Sequence, residues 1–147
     1  MNKTDNLLGK EKIILNAKPK DKWEAIRLAG ELLVQAGHVT PAYVDKMQGR
    51  ERLATTYIGS GVAIPHGTLD SKQEIRSTGI SVVQVPDGVD FGEGNTAYVL
   101  LGIAAVGDEH LEILSHIAVV CSDEENVRKA TLAKTAEEII ALFGGGE

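Results

Sequence analysis

The sequence predicts a single mixed α/β domain, a sheet flanked by helices in a layered sandwich. Three observations carry that expectation. Helical patterns occupy both ends of the chain, β-branched runs punctuated by glycine fill residues 58–106, and no linker or internal repeat divides them. The 147 residues suffice for one domain, and an apolar content of 43% supplies its core; a chain of this size buries about two-thirds of the surface it exposes when unfolded. Residues 1–147 therefore read as one domain with an ordered core over about 7–143, and Gly144-Gly145-Gly146 reads as a frayed end.

Asp21 followed by Glu24 has capping-box spacing, and Ala25, Leu28, Ala29, Leu32, Leu33 and Ala36 recur at helical spacing until Gly37. Thr40-Pro41 places a capping hydroxyl before a proline suited to a first helical turn, which predicts a second helix through Tyr43, Val44 and Met47 that fades at Gly49, with Arg50 near its end. Residues 80–85 (ISVVQV) and 97–103 (AYVLLGI) are the best strands, with Pro86-Asp87-Gly88 as a turn signal between them. After Gly107, Asp108 can cap a helix carrying Leu111, Leu114, Ile117, Ala118 and Cys121. Ser122 with Glu125, then Thr135 with Glu138, repeat the capping-box spacing ahead of two short helices.

Composition narrows the function. A formal net charge of −6 argues against a protein that lives on nucleic-acid phosphates or anionic lipid, since both recruit Lys and Arg first. Cys121 is the only cysteine, which excludes an internal disulfide and a cysteine-based zinc cage and fits a reducing cytoplasm. The N-terminus lacks the apolar core of a signal peptide, and the uncharged stretch of residues 94–107 falls short of the roughly 20 residues that span a bilayer. The chain is expected to be cytoplasmic, neither exported nor inserted.

The most unusual local sequence is Gly61-Val62-Ala63-Ile64-Pro65-His66-Gly67-Thr68. Proline pushes Ile64 towards an extended conformation, while Gly67 permits close approach and a positive φ, so the imidazole of His66 is presented. With an unperturbed pKa of about 6.5, histidine offers a neutral nitrogen nucleophile at pH 7, which suits covalent transfer. The same tripeptide also reads as an ordinary turn with a solvated histidine. His110 falls in the first turn of a helix, where the dipole disfavours imidazolium and favours anions; it can donate to a phosphoryl oxygen or be a plain surface histidine. His116 lies about 240° around that helix from His110, so the two do not form an i, i+4 metal pair. His38, after Gly37, reads as a structural or exposed residue without a partner.

Arg50, within Arg50-Glu51-Arg52, can pair with phosphoryl oxygens through its planar fork, or meet helix-end carbonyls and solvent. Cys121 occupies an apolar helical position, which favours an inert core residue over a nucleophile. Nucleotide and hydrolase devices are missing: there is no phosphate-binding G-x-x-x-x-G-K-[ST], Gly59-Ser60-Gly61 and Gly92-Glu93-Gly94 lack a third glycine, and no G-x-S-x-G or H-E-x-x-H occurs. No cofactor or metal is expected.

Residues 61–68, with Arg50-Glu51 upstream and Gly102-Ile103-Ala104-Ala105 through Glu109-His110 downstream, resemble the mannitol/fructose-type enzyme IIA family of the phosphoenolpyruvate-dependent sugar phosphotransferase system, and most closely its mannitol branch. The similarity runs from about Leu7 to Phe143, with three separated segments in the right order. The resemblance implies a cytoplasmic phosphotransferase component that takes phosphoryl on His66 from the histidine-containing phosphocarrier protein and passes it to a cysteine of a IIB unit. It also implies that Nε2 of His66 is the atom phosphorylated, that His110 orients and hydrogen-bonds, and that Arg50 offsets phosphoryl charge. The membrane IIC unit is met only indirectly, and no IIB or IIC portion is expected in the chain, a free-standing IIA or a domain expressed alone. The acidic surface would steer a basic carrier. A regulatory, nitrogen-related IIA-type phosphoprotein, a fructose-branch IIA and, more remotely, a metal-dependent hydrolase are the alternatives.

Overall fold

Alternation along the two central strands sorts the molecule into layers. The computed structural model describes residues 8–107 and 109–143; the expected cap at Asp108, Leu7 at the start of the resemblance and the terminal glycines lie outside them. Strand β4 (Gly79–Gly92) pairs antiparallel with β5 (Asn95–Ala104), Val82 facing Leu101 and Val83 facing Leu100. Val82, Val99, Leu101 and Ile103 point to one side of the sheet, and Val83, Leu100 and Ala104 to the other. Three short strands complete a five-stranded mixed sheet in the order β1-β4-β5-β3-β2: β1 (Ile13–Ile14) parallel to β4, β3 (Val62–Ala63) parallel to β5, and β2 (Tyr57–Gly59) antiparallel to β3.

Helices α1 (Lys22–Gln35) and α2 (Ala42–Leu53) cover one face, burying Ala25, Ile26, Ala29, Leu33, Tyr43 and Met47. Helices α3 (Glu109–Cys121), α4 (Glu124–Leu132) and α5 (Ala136–Phe143) cover the other with Ile113, Ile117, Val127, Ile139 and Phe143. The expected layered α/β sandwich is thus observed, with five helices around the sheet among the described residues. None of these helices is long and apolar enough to cross a membrane.

Helix α1 starts as expected, the Asp21 carboxylate accepting from Glu24 N–H at 2.9 Å. It ends in a Schellman turn at Gly37 (φ 86°), with His38 N–H on the Leu33 carbonyl and Gly37 N–H on that of Val34. Thr135 and Glu138 form their box ahead of α5.

Four local expectations change. Helix α2 passes through Gly49 to Leu53, because a glycine facing open space costs only about 1 kcal/mol and the last turn is closed by Arg50 on the Ala54 carbonyl. Thr40 does not cap α2; its hydroxyl donates to the Glu74 carboxylate, and Pro41 opens the helix. Pro86-Asp87-Gly88 does not turn the chain but forms a bulge inside β4, and the hairpin reverses at Glu93 (φ 55°) and Gly94 (φ 82°), whose paired positive φ values match the right-handed twist of the strands. The cap of α4 is Asp123, which accepts from Glu125 N–H at 2.9 Å, while Ser122 donates to the Val119 carbonyl.

Candidate functional site

Beyond β3 the chain continues along β5 through Ile64 and Pro65, and His66 makes one last parallel bridge with Ile103. The Ile103 N–H donates to the Pro65 carbonyl at 2.9 Å, so the histidine sits where the sheet runs out. Its ring bends back on its own chain: Nδ1–H donates to the Ile64 carbonyl at 2.8 Å. A carbonyl can only accept, so Nδ1 carries the proton and the lone pair of the neutral ring is on Nε2.

The loop after β5 and the first turn of α3 bring His110 to the same place. The Thr78 hydroxyl donates to the Glu109 carboxylate and accepts from Val106 N–H, tying this loop to the start of β4. The His66 and His110 rings meet edge to face with centroids 5.2 Å apart and planes inclined at 61°. The end of α2 contributes Arg50, whose Nη1 donates to the Ala54 carbonyl at 2.6 Å. That is the helix-end bond anticipated from sequence. It uses one of the guanidinium's five N–H donors.

All three side chains line one open cleft of about 670 Å³, together with Tyr43, Thr68 and Ser71. Leu53 and Leu111 stand at its edge, 76% and 68% exposed. Burial, the largest cause, holds the His66 imidazolium below its ordinary range; the nearby His110 and Arg50 act in the same sense, and the Ile64 carbonyl and Glu51 against it. Burial also lowers His110, and the N-terminal end of the α3 dipole adds to that preference for a neutral ring. The cleft thus presents one lone-pair nitrogen beside a guanidinium and a second uncharged imidazole. It can attack an electrophilic phosphorus and offset charge on its oxygens.

Gly67 differs from expectation. Its φ is not positive; a Cβ there would lie 2.5 Å from both Ser71 Oγ and Tyr43 Cε1, so packing requires the glycine. His38 is not without a partner either: buried Lys12 donates to its Nε2 and its Nδ1–H donates to Ser77 Oγ, both at 2.8 Å. His116 donates from Nε2 to the Phe143 carbonyl, away from the cleft, and Cys121 is buried with its thiol pushed up to about 11. Among the described residues no three His, Cys, Asp or Glu side chains gather as metal ligands. Tyr43 escaped the sequence reading. Its hydroxyl accepts from Gly67 N–H at 2.9 Å and donates to the Ile103 carbonyl at 2.8 Å, yet the sequence placed it only as one residue of the second helix.

Known proteins share this chain's sequence pattern and fold. The family model described as phosphoenolpyruvate-dependent sugar phosphotransferase system, EIIA 2, matches residues 6–144. The chain is 54% identical over 137 residues to the mannitol-specific phosphotransferase enzyme IIA component of Geobacillus stearothermophilus, covering 93% of this chain and 94% of that one. It is 50% identical to the component of the same name from Bacillus subtilis, over 93% and 96%. Among solved structures it resembles enzyme IIA in the complex of mannitol IIA with phosphorylated mannitol IIB from Escherichia coli, with a TM-score of 0.89 and 38% identity over 95% of this chain and 99% of that one. The chain belongs to the EIIA type 2 family of the phosphoenolpyruvate-dependent sugar phosphotransferase system.

Proposed function

We propose that this protein is a cytoplasmic phosphocarrier of a mannitol uptake system, accepting phosphoryl on Nε2 of His66 and delivering it to a cysteine of a IIB partner. The observation that carries the reading is the bond from His66 Nδ1–H to the Ile64 carbonyl, which leaves Nε2 as the lone-pair atom in the cleft shared with His110 and Arg50. Support for mannitol and for IIB comes from the relatives of that specificity and from the similar chain whose structure is a complex with phosphorylated IIB.

In the first step Nε2 attacks the phosphorus of a phosphohistidine on the donor, the histidine-containing phosphocarrier protein. The new N–P bond forms as the donor N–P bond breaks, and the electron pair of the old bond returns to the donor imidazole. In the second, a IIB thiolate attacks the same phosphorus and the pair of the His66 N–P bond returns to Nε2. A loose, metaphosphate-like transition state asks little bond-making of the protein, so positioning and charge carry the rate. Arg50 and His110 supply the donors, His110 as a neutral ring. Leu53 and Leu111 give the mouth of the cleft an apolar edge that a partner would cover.

The test uses radiolabelled phosphoenolpyruvate, enzyme I and the phosphocarrier, with the native protein and His66→Ala side by side. Label on the native protein alone, chased onto a IIB domain, is the expected result. Equal label on both proteins overturns the assignment.

A further inference from the structure

The backbone around His66 is closed into a ring by a side chain from the neighbouring helix. In a regular parallel ladder the bridge between His66 and Ile103 would be completed by two backbone bonds, Ile103 N–H to the Pro65 carbonyl and Gly67 N–H to the Ile103 carbonyl. The first is present at 2.9 Å. In place of the second, Gly67 N–H donates at 2.9 Å to the Tyr43 hydroxyl, which in turn donates at 2.8 Å to the Ile103 carbonyl. The phenol hydroxyl stands between the Gly67 amide and the Ile103 carbonyl at the last bridge of the sheet, bonded to both.

The insertion is built rather than incidental. Tyr43 is 2% exposed, and the absence of a Cβ at Gly67 is what allows its ring to lie against the backbone there. A buried hydroxyl that both accepts and donates has no cheaper arrangement, because either bond lost leaves a buried polar group unpaired. Burial pushes the phenol up to about 12, so the donating form persists across any working pH.

We propose that Tyr43 is a positioning residue for phosphoryl transfer, its hydroxyl setting the distance between the His66 segment and β5 and thereby the line along which Nε2 meets the phosphorus. The inference rests on the carrier reading above. It goes beyond that reading because the Tyr43 hydroxyl bonds to two backbone groups, Gly67 N–H and the Ile103 carbonyl. Its effect passes through Gly67 N–H to the backbone of the preceding residue, His66, and so to a ring already pinned by the Ile64 carbonyl.

Tyr43→Phe keeps the ring and its packing but removes the hydroxyl, so Gly67 N–H can close directly onto the Ile103 carbonyl and carry His66 with it. A displacement near 1 Å costs about 10²-fold in an aligned transfer. The variant should therefore fold, and should lose about 10- to 100-fold in kcat for acceptance from the phosphocarrier with KM for that protein within about twofold. Ring-nitrogen NMR should show its His66 losing the single Nδ1–H tautomer of the native protein. Gly67→Ala presses the same contact from the other side and should show the same kcat-selective loss, not additive with Tyr43→Phe. Ile139→Val, buried in the opposite layer, controls for stability and should transfer at the native rate. Native kcat and an unchanged tautomer in Tyr43→Phe overturn the proposal, as does a loss that Ile139→Val shares. Failure of the carrier reading looks different: the native protein itself takes no label, while the ring-nitrogen signals still decide whether Tyr43 holds His66.

Discussion

The His66 ring stands edge to face against the His110 ring, 5.2 Å between centroids, and burial presses both imidazoles towards their neutral forms. Two histidines this close cannot both be charged at low cost, and Arg50 on the same cleft adds to that bias. A nucleophile is wanted neutral, and an anion-facing donor beside it need not be cationic when a guanidinium is already there.

The first prediction is the acid limb of phosphoryl acceptance. Because the folded His66 titrates below 6.5, the nucleophile stays available as pH falls through 6.5 and is lost only lower. The NMR titration midpoint of His66 should therefore lie below 6.5 in the native protein. His110→Ala removes a group that depresses it, so that midpoint should move up. A native midpoint above 6.5, or a downward move in the variant, contradicts the site electrostatics.

Arg50→Gln should separate rate from stability. Among the described residues the guanidinium's bond within the fold is the exposed one to the Ala54 carbonyl, so its loss should cost the fold less than about 1 kcal/mol. Transfer should fall by about 10²–10³-fold, the range for removing one donor from developing anionic charge. Arg50→Lys should recover only part of that rate, since an ammonium cannot keep the Ala54 bond and present a planar fork together. Stopped-flow transfer alongside urea unfolding measures both. A rate within threefold of native would remove Arg50 from the proposal.

The fold was legible where local chemistry and periodicity agreed, and the site where residue type alone implied reactivity. The Asp21 and Thr135 boxes and the alternation in β4 and β5 act over a few residues, so their signals survive in one sequence. Strands β1 and β3 are two residues each and carry no period to read. Pro86-Asp87-Gly88 has turn composition, but long pairing on both sides of it turns the same residues into a bulge. The partnerships that were missed span distance: Tyr43 with Ile103 is 60 residues apart, Lys12 with His38 is 26. Only the sheet order brings such groups together, and side-chain type announces neither.

The Lys12–His38 contact predicts a stability change with pH. Lys12 Nζ donates to Nε2 of a ring that also faces Glu11 and Ser77, and burial first, then Lys12, hold its pKa below 6.5. The sign follows from proton counting. Between 6.5 and the lower folded value the unfolded chain binds more protons, so this contribution is complete above 6.5 and drains away as pH falls towards the folded pKa. His66 and His110 act in the same direction and window. His38→Gln can still accept from Lys12 and donate to Ser77, and has no charge to gain. The urea midpoint should drop less between pH 7.5 and pH 5 in that variant than in the native protein; equal slopes would dismiss His38 as a contributor.

Glu51 ties the end of α2 to the segment that follows it, and its removal should be felt in both stability and transfer. Its buried carboxylate accepts from Thr56 N–H and Thr56 Oγ, both at 2.8 Å, and from Lys22 Nζ at 3.2 Å. Glu51→Ala strands a buried amide and a lysine together. Breaking a buried pair costs about 3–5 kcal/mol, and Lys22, whose side chain is 22% exposed, can turn towards water, which places the loss at about 3 kcal/mol. Glu51→Gln keeps an oxygen for Thr56 and gives up only the charge, so about 1 kcal/mol is expected. The two variants therefore rank hydrogen bonding above ion pairing at this position. Because Arg50 closes onto Ala54, two residues before Thr56, loosening that segment in Glu51→Ala should also slow phosphoryl transfer. Equal destabilisation of Glu51→Ala and Glu51→Gln in urea would show instead that the charge on Lys22 is what the carboxylate serves.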